Sequence, residues 1–197
     1  MKSQARGGYA KGRAKRREIL DHAIALFGEV GYRAASLREI ATRSGISHPG
    51  LLHHFPTKEA LLLAVLAHRD EVDGELFTGA TGIDALRRLV DLVRLNVGRR
   101  GVVELFTVLS AEATASDHPA HAFFVERYRR TLAGFERAYL AARAVGALRP
   151  EIDPAAAARH LVALMDGLQI QWLLDDRRTD MVDPVRAHIQ TQLTVPL

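Results

Sequence analysis

Histidine supplies the side chains of this sequence that first suggest chemistry. His53 and His54 are adjacent, and His118 and His121 stand three apart beside Asp117, with Ser116 just ahead. A spacing of three on a helix suits two ligands of one metal ion, and Ser116 with His118 would be a nucleophile and its base. Neither constellation is completed. Adjacent helical residues point about 100° apart, so His53 and His54 do not converge on one ion. No carboxylate or third histidine is placed to finish a site at His118, and the strand-to-helix turn that exposes a nucleophilic serine is missing. The sequence holds no cysteine, which excludes disulfides, thiolate zinc sites and cysteine nucleophiles. The expectation is a protein with no catalytic residue, no metal and no cofactor.

Charge is more informative. The net charge of +4 over 197 residues conceals an asymmetry. Residues 1–58 hold eleven Lys and Arg against four Asp and Glu, whereas residues 59–197 hold sixteen against nineteen. All of the excess positive charge is N-terminal. Residues 1–17 carry Lys2, Arg6, Lys11, Arg13, Lys15, Arg16 and Arg17 without a single acid, which reads as a flexible basic arm over residues 1–15. The longest apolar run, "LLLAVLA", is far shorter than the ~20 residues of a membrane helix, and no apolar segment with a cleavage site follows the basic start. A cytoplasmic protein that makes no membrane contact is expected.

The elements that must position these residues are helical. Strand signals are nearly lacking. Ile19, Leu20, Ala23, Ile24, Leu26 and Phe27 keep the spacing of an amphipathic helix that stops near Gly28 to Gly31. Ser36, three residues before Glu39, predicts a capping box at the start of a second helix, which ends at Gly45. Ser47 then caps a third, very short helix that Pro56 terminates, and Thr57 caps a fourth with a stripe of Leu61, Leu62, Val65 and Leu66. Two short helices joined by a glycine turn form a helix-turn-helix. Further helices are predicted over residues 83–97, 102–114, 117–145, 153–174 and 183–193, with Asp117, Asp153 and Asp183 as their N-caps where an aspartate opens the segment. The fold class is all-α.

The third helix, about seven residues and ~10 Å long, matches the ~12 Å width of the B-DNA major groove. With Leu51 and Phe55 turned inward, Ser47, His48, Pro49, Gly50, Leu52, His53 and His54 face out. Proline is tolerated in a first helical turn, and glycine permits close approach of the backbone to another surface.

At this point residues 17–66, "REILDHAIALFGEVGYRAASLREIATRSGISHPGLLHHFPTKEALLLAVL", resemble the DNA-binding domain of the TetR family of transcriptional regulators along their whole length. "LVALMDGLQIQWLLD", residues 161–175, is similar to the family's penultimate helix. The resemblance implies a homodimer with a helix-turn-helix head at 16–57 and a helical ligand-binding and dimerisation body at 58–197. Matching positions imply DNA contacts at Ser36, Arg38, Ser47, His48, His53, His54 and Lys58. Pro49, Gly50 and Leu52 share that face, and Lys15, Arg16 and Arg17 of the arm add phosphate or minor-groove contacts. Gly50 and Leu52 depart from the family's usual small residue followed by tyrosine. Leu52 offers an apolar contact to a thymine methyl in place of the tyrosine hydroxyl.

In the body, the stripe of Phe124, Tyr128, Phe135 and Tyr139 is either core or the wall of an apolar pocket. Phe106, Phe123, Phe124, Tyr128, Met165 and Gln169 are the candidate ligand contacts. Leu161, Leu168 and Trp172, with Val185 and Ile189, form a helix–helix seam that the resemblance assigns to the dimer and that packing alone assigns to the core. The function expected is a ligand-responsive repressor: a dimer on a palindromic DNA operator, released by a small apolar or amphipathic effector. The alternatives are a regulator without such a ligand and a helical binding or catalytic protein with a repurposed head.

Overall fold

The computed structural model describes residues 3–197, with side chains from residue 12 onward. Among the described residues there are nine helices and no strand. They are α1 (Ser3–Ala34), α2 (Leu37–Arg43), α3 (His48–His54), α4 (Lys58–Glu75), α5 (Gly82–Val97), α6 (Arg100–Glu112), α7 (His121–Ala144), α8 (Pro154–Leu174) and α9 (Val182–Gln192). The chain forms two compact units. One runs to Asp70 and takes in Glu104–His121, and the other comprises Glu71–Val103 and Ala122–Leu197.

In the first unit, Ile19, Ala23, Leu26 and Phe27 of α1 are buried, as are Ile40, Leu51, Phe55 and the predicted stripe of α4. Each large side chain removed from water stabilises the unit by about 1.5–3 kcal/mol. The turn between α2 and α3 is set by Gly45, whose φ of 63° is left-handed. There the Gly45 amide donates to the Thr42 carbonyl and the Ile46 amide to that of Ala41, both at 3.0 Å.

Several expectations at helix ends are corrected. Residues 3–15, read as a flexible arm, belong to α1, because extending a formed helix adds one hydrogen bond per residue and Ala, Lys and Arg favour it. Residues 1 and 2, and the side chains of Arg6 and Lys11, lie outside the described residues. The capping box does not form: the Ser36 side chain makes no cap bond, and the Glu39 carboxylate instead accepts from Arg43 at 2.7 Å. Arg43 also grips Glu29 through two hydrogen bonds, and a guanidinium shared by two carboxylates outcompetes a neutral amide. Asp117 does not cap α7, which begins at His121. Asp183 lies inside α9, and Asp180 accepts the amides of Val182 and Asp183 in its place. The caps expected from Ser47, Thr57 and Asp153 are present: each side chain accepts the amide three residues on, at 3.2, 3.0 and 2.8 Å.

The second unit packs α5, α7, α8 and α9 around Leu86, Leu89, Tyr139, Leu161, Trp172, Val185 and Ile189. This corrects the assignment of Leu161, Leu168, Trp172, Val185 and Ile189 to a subunit seam. All five are buried by their own chain, with Leu168 the most exposed at 7%, so they leave a partner little surface to cover. The open large apolar residues of α8 are Ile170 and Leu174, 47% and 82% exposed.

Replacing Trp172 by alanine is expected to cost about 3–5 kcal/mol of unfolding free energy, as for a large core side chain. Urea unfolding measures that loss, and sedimentation of the folded variant should show association unchanged. A small stability loss with weakened association would return Trp172 to an interface.

Candidate nucleic-acid interface

The reading surface is built from what α3 buries. Leu51, fully buried, and Phe55, 2% exposed, fasten the helix from beneath. Its opposite side is open: Ser47, Pro49 and His53 are exposed, and His48, Gly50, Leu52 and His54 are half-buried. Pro49 occupies the first turn, where the missing amide hydrogen breaks no intrahelical bond. Gly50 has a local reason as well. Its amide donates to Ser47 Oγ at 3.2 Å, and a Cβ on Gly50 would lie 3.2 Å from that oxygen, so a larger residue presses on the cap. The His53 and His54 rings meet edge to face at 5.8 Å between centroids. Ser36 and Arg38 are exposed at the start of α2. The Ser36 hydroxyl, having no cap to make, is available to an outside acceptor.

Three of the cations expected to reach DNA have internal partners. Lys15 Nζ donates to Glu18 at 2.6 Å and to the Ser44 carbonyl at 3.1 Å. The Arg16 guanidinium lies 4.7 Å over the Phe55 ring, bracing from outside the side chain that holds α3 from within. Lys58 Nζ donates to the Arg33 carbonyl at 3.0 Å and sits 4.7 Å from the Tyr32 ring centroid. Partial burial pulls the Lys58 ammonium below the ordinary lysine range, and the Glu112 carboxylate pushes it back up. As the structure stands, Lys58 is a strut between helix ends. Arg17 and Arg38 are exposed.

His118 and His121 commit their Nδ1 atoms to the backbone. His118 Nδ1 accepts the Ala120 amide at 3.2 Å, and His121 Nδ1 meets the Ala113 carbonyl at 2.8 Å. Among the described residues no group of three metal-ligating side chains comes together, and no helix is long and apolar enough to cross a membrane.

The candidate ligand contacts are only partly brought together. Met165 and Gln169 line a narrow recess in the second unit with Val93, Asn96, Leu168, Met181 and Val185, with about 10 Å³ of free space, the room of a single water. Tyr128 turns instead to Asp166, donating to Oδ2 at 2.8 Å. Burial raises the Asp166 carboxyl above the usual carboxylate range, and the tyrosine hydroxyl pulls it back. Phe123 and Phe124 stack edge to face on each other at 5.4 Å. Phe106 belongs to the first unit, where the Arg69 guanidinium lies 5.6 Å over its ring. Sequence reasoning missed Val93, Asn96 and Met181; an amide on the apolar face of α5 was the available signal for Asn96.

A short helix held from below with an open polar face, entered through a glycine turn, is the architecture of a helix-turn-helix regulator. Residues 19–65 match the model of bacterial regulatory proteins of the tetR family. Residues 83–194, more than half of the chain, match that of the C-terminal part of BetI-type transcriptional repressors. The chain belongs to the tetR family of bacterial transcriptional regulators. The HTH-type transcriptional repressor KstR2 of Rhodococcus jostii (strain RHA1) is 30% identical over 126 residues, 64% of this chain and 56% of that protein. The A-factor receptor protein of Streptomyces griseus is 28% identical over 171 residues, 84% and 57% of the two chains. The chain thus spans a little over half the length of these relatives. A transcriptional regulator from Saccharomonospora viridis, solved in complex with choline, superposes with a TM-score of 0.72 at 26% identity, covering 89% of this chain and 93% of that one.

A double-mutant cycle checks the α3 cap. Ser47→Ala should cost about 1 kcal/mol. Gly50→Ala alone should gain less than the ~1 kcal/mol that helix propensity offers, and the full gain should return in the Ser47→Ala background. Additive unfolding energies would mean that Gly50 is not constrained by the cap.

Proposed function

We propose that this chain is a cytoplasmic, homodimeric repressor that binds a palindromic operator through its helix-turn-helix and is released by a small effector, rather than an enzyme. The DNA-reading part is residues 16–57 and the effector-binding and dimerising part residues 58–197. The observation that carries this reading is the outer face of α3, with Ser47, Pro49 and His53 exposed and His48, Gly50, Leu52 and His54 half-buried above a buried Leu51 and Phe55. Arg17 and Arg38 supply free positive charge for phosphates, and Ser36 a hydroxyl. Two copies of α3 on one duplex enter major grooves about one turn, ~34 Å, or somewhat more apart.

The effector reading rests on the recess between α5, α8 and α9, where Val93, Met165, Leu168, Met181 and Val185 supply apolar wall and Asn96 and Gln169 two amides. With about 10 Å³ of free space, the room of one water, the recess takes an effector only once its walls, the adaptable Met165 among them, move apart. The relative crystallised with choline and the A-factor receptor lend support from their own ligands. The release follows only if the effector prefers the conformation that fits DNA less well.

The dimer reading moves to Ile170 and Leu174, whose side chains stand open on α8. A second copy of the chain is the partner that hides them.

Selection from a random duplex pool by the purified protein at physiological salt tests the first claim. Enrichment of a two-fold palindrome is expected, with affinity falling steeply as salt rises. Binding without enrichment would overturn it. For the dimer, Ile170→Asp with Leu174→Asp should leave the helical spectrum intact and shift sedimentation to monomer, since each buried carboxylate opposes association. A dimer that persists would place the interface elsewhere.

A further inference from the structure

Gly31 interrupts α1 with φ 75° and ψ 174°, and a carboxylate fills the notch it leaves. Glu112, the last residue of α6, brings Oε2 within 2.9 Å of the Tyr32 amide, which donates to it. The left-handed backbone angle favours glycine here, and a Cβ on Gly31 would displace the same carboxylate. The partner side chains converge. His118, whose side chain is 1% exposed, places Nε2 3.6 Å from Glu112 Oε2. Because its Nδ1 accepts the Ala120 amide, the neutral ring carries its hydrogen on Nε2, facing the carboxylate. The same ring meets Tyr32 edge-on at 5.1 Å between centroids. Tyr32 also carries the Lys58 ammonium, 4.7 Å from the ring centroid, and Lys58 holds the Arg33 carbonyl. Lys58 is the first residue of α4, four positions after the end of α3.

The contacts therefore run in one line: Ala120 orients His118, His118 faces Glu112, Glu112 holds the Gly31–Tyr32 turn, Tyr32 seats Lys58, and Lys58 ties the start of α4 to the end of α1. We propose that Glu112 is a positioning residue for DNA binding, its carboxylate clasping the Gly31–Tyr32 turn so that α3 is held in operator-reading geometry. This rests on the repressor reading above. Glu112 lies 58 positions beyond the end of α3 along the chain and touches no DNA in this scheme. A hydrogen bond to a charged acceptor contributes more than a neutral one, so losing it should free the turn without dissolving the buried Leu51 and Phe55.

The test uses the full chain, with the selected operator and with amide hydrogen exchange. Glu112→Ala should speed exchange at the Tyr32 amide and lower operator affinity about tenfold, the scale of one charged hydrogen bond. Urea unfolding should show the protein still folded under the assay conditions. Glu112→Gln, whose amide oxygen still accepts the Tyr32 amide, should recover part of both effects, whereas Glu112→Asp, one methylene short, should not. Faster exchange at Tyr32 with operator affinity unchanged would overturn the proposal, because the clasp would then exist without positioning the head. Affinity lost only in step with the folded fraction, in all three variants, would overturn it too, leaving Glu112 a stabilising residue. If wild-type protein selects no operator, the repressor reading fails, and exchange at Tyr32 still reports whether the clasp exists.

Discussion

A helix of seven residues has too few hydrogen bonds to hold itself together in water, and the first compact unit is organised around that deficit. Leu51 and Phe55 are the only large apolar side chains of the α3 segment that point inward, and both are buried. Ser47 closes the front of the helix, and Gly45 turns the chain tightly enough to bring α2 alongside. Arg16 covers Phe55 from the outside. With the inner face secured in this way, the outer face beyond the Ser47–Gly50 cap carries no packing duty, and polar, small and poor helix-forming residues can occupy it.

The same economy of charge explains why the basic N-terminal half is not simply a phosphate-binding surface. Lys15, Arg43 and Lys58 each bind a backbone carbonyl or a carboxylate of their own unit. Doubly paired with Glu29 and Glu39, the Arg43 guanidinium is pushed further up, and Glu29 is held below the usual carboxylate range. These pairs are largely exposed, so each contributes little to stability. Their effect is to fix the ends of short helices relative to one another. In the second unit the analogous role falls to apolar packing, with Tyr139 and Trp172 at its centre.

Much of this architecture was legible along the chain. The periodicity of α1 and α4, the punctuation by Gly45 and Pro56, and the caps at Ser47, Thr57 and Asp153 are all signals between residues a few positions apart. The failures cluster where two local signals compete. Ser36 and Glu39 have capping-box spacing, yet Arg43, four residues on, takes the carboxylate. Asp183 precedes a proline as an N-cap should, yet α9 already begins at Val182 and Asp180 accepts the amides that open it. Met165 and Gln169 reach the recess, whereas Phe106 and Tyr128 have other partners. An aromatic stripe shows that a helix has an apolar face but not which neighbour that face meets.

By itself the sequence determined the all-α class, the helix-turn-helix and the residues on the outward side of α3, because these depend on spacing within one or two turns and on caps that act over three residues. Only the tertiary structure decided which faces are already covered. Leu161, Leu168 and Trp172 have the spacing of a seam whether the partner is another subunit or the rest of the chain. Their burial assigns them to the chain's own core and leaves Ile170 and Leu174 open. It also decided that Lys15 serves Ser44, 29 positions away, and that Tyr32 answers to Glu112, 80 positions away. The physical reason is the same in each case. A helix fixes the direction of its side chains relative to its own axis, but its rotation against other helices is settled by packing, which no local pattern records.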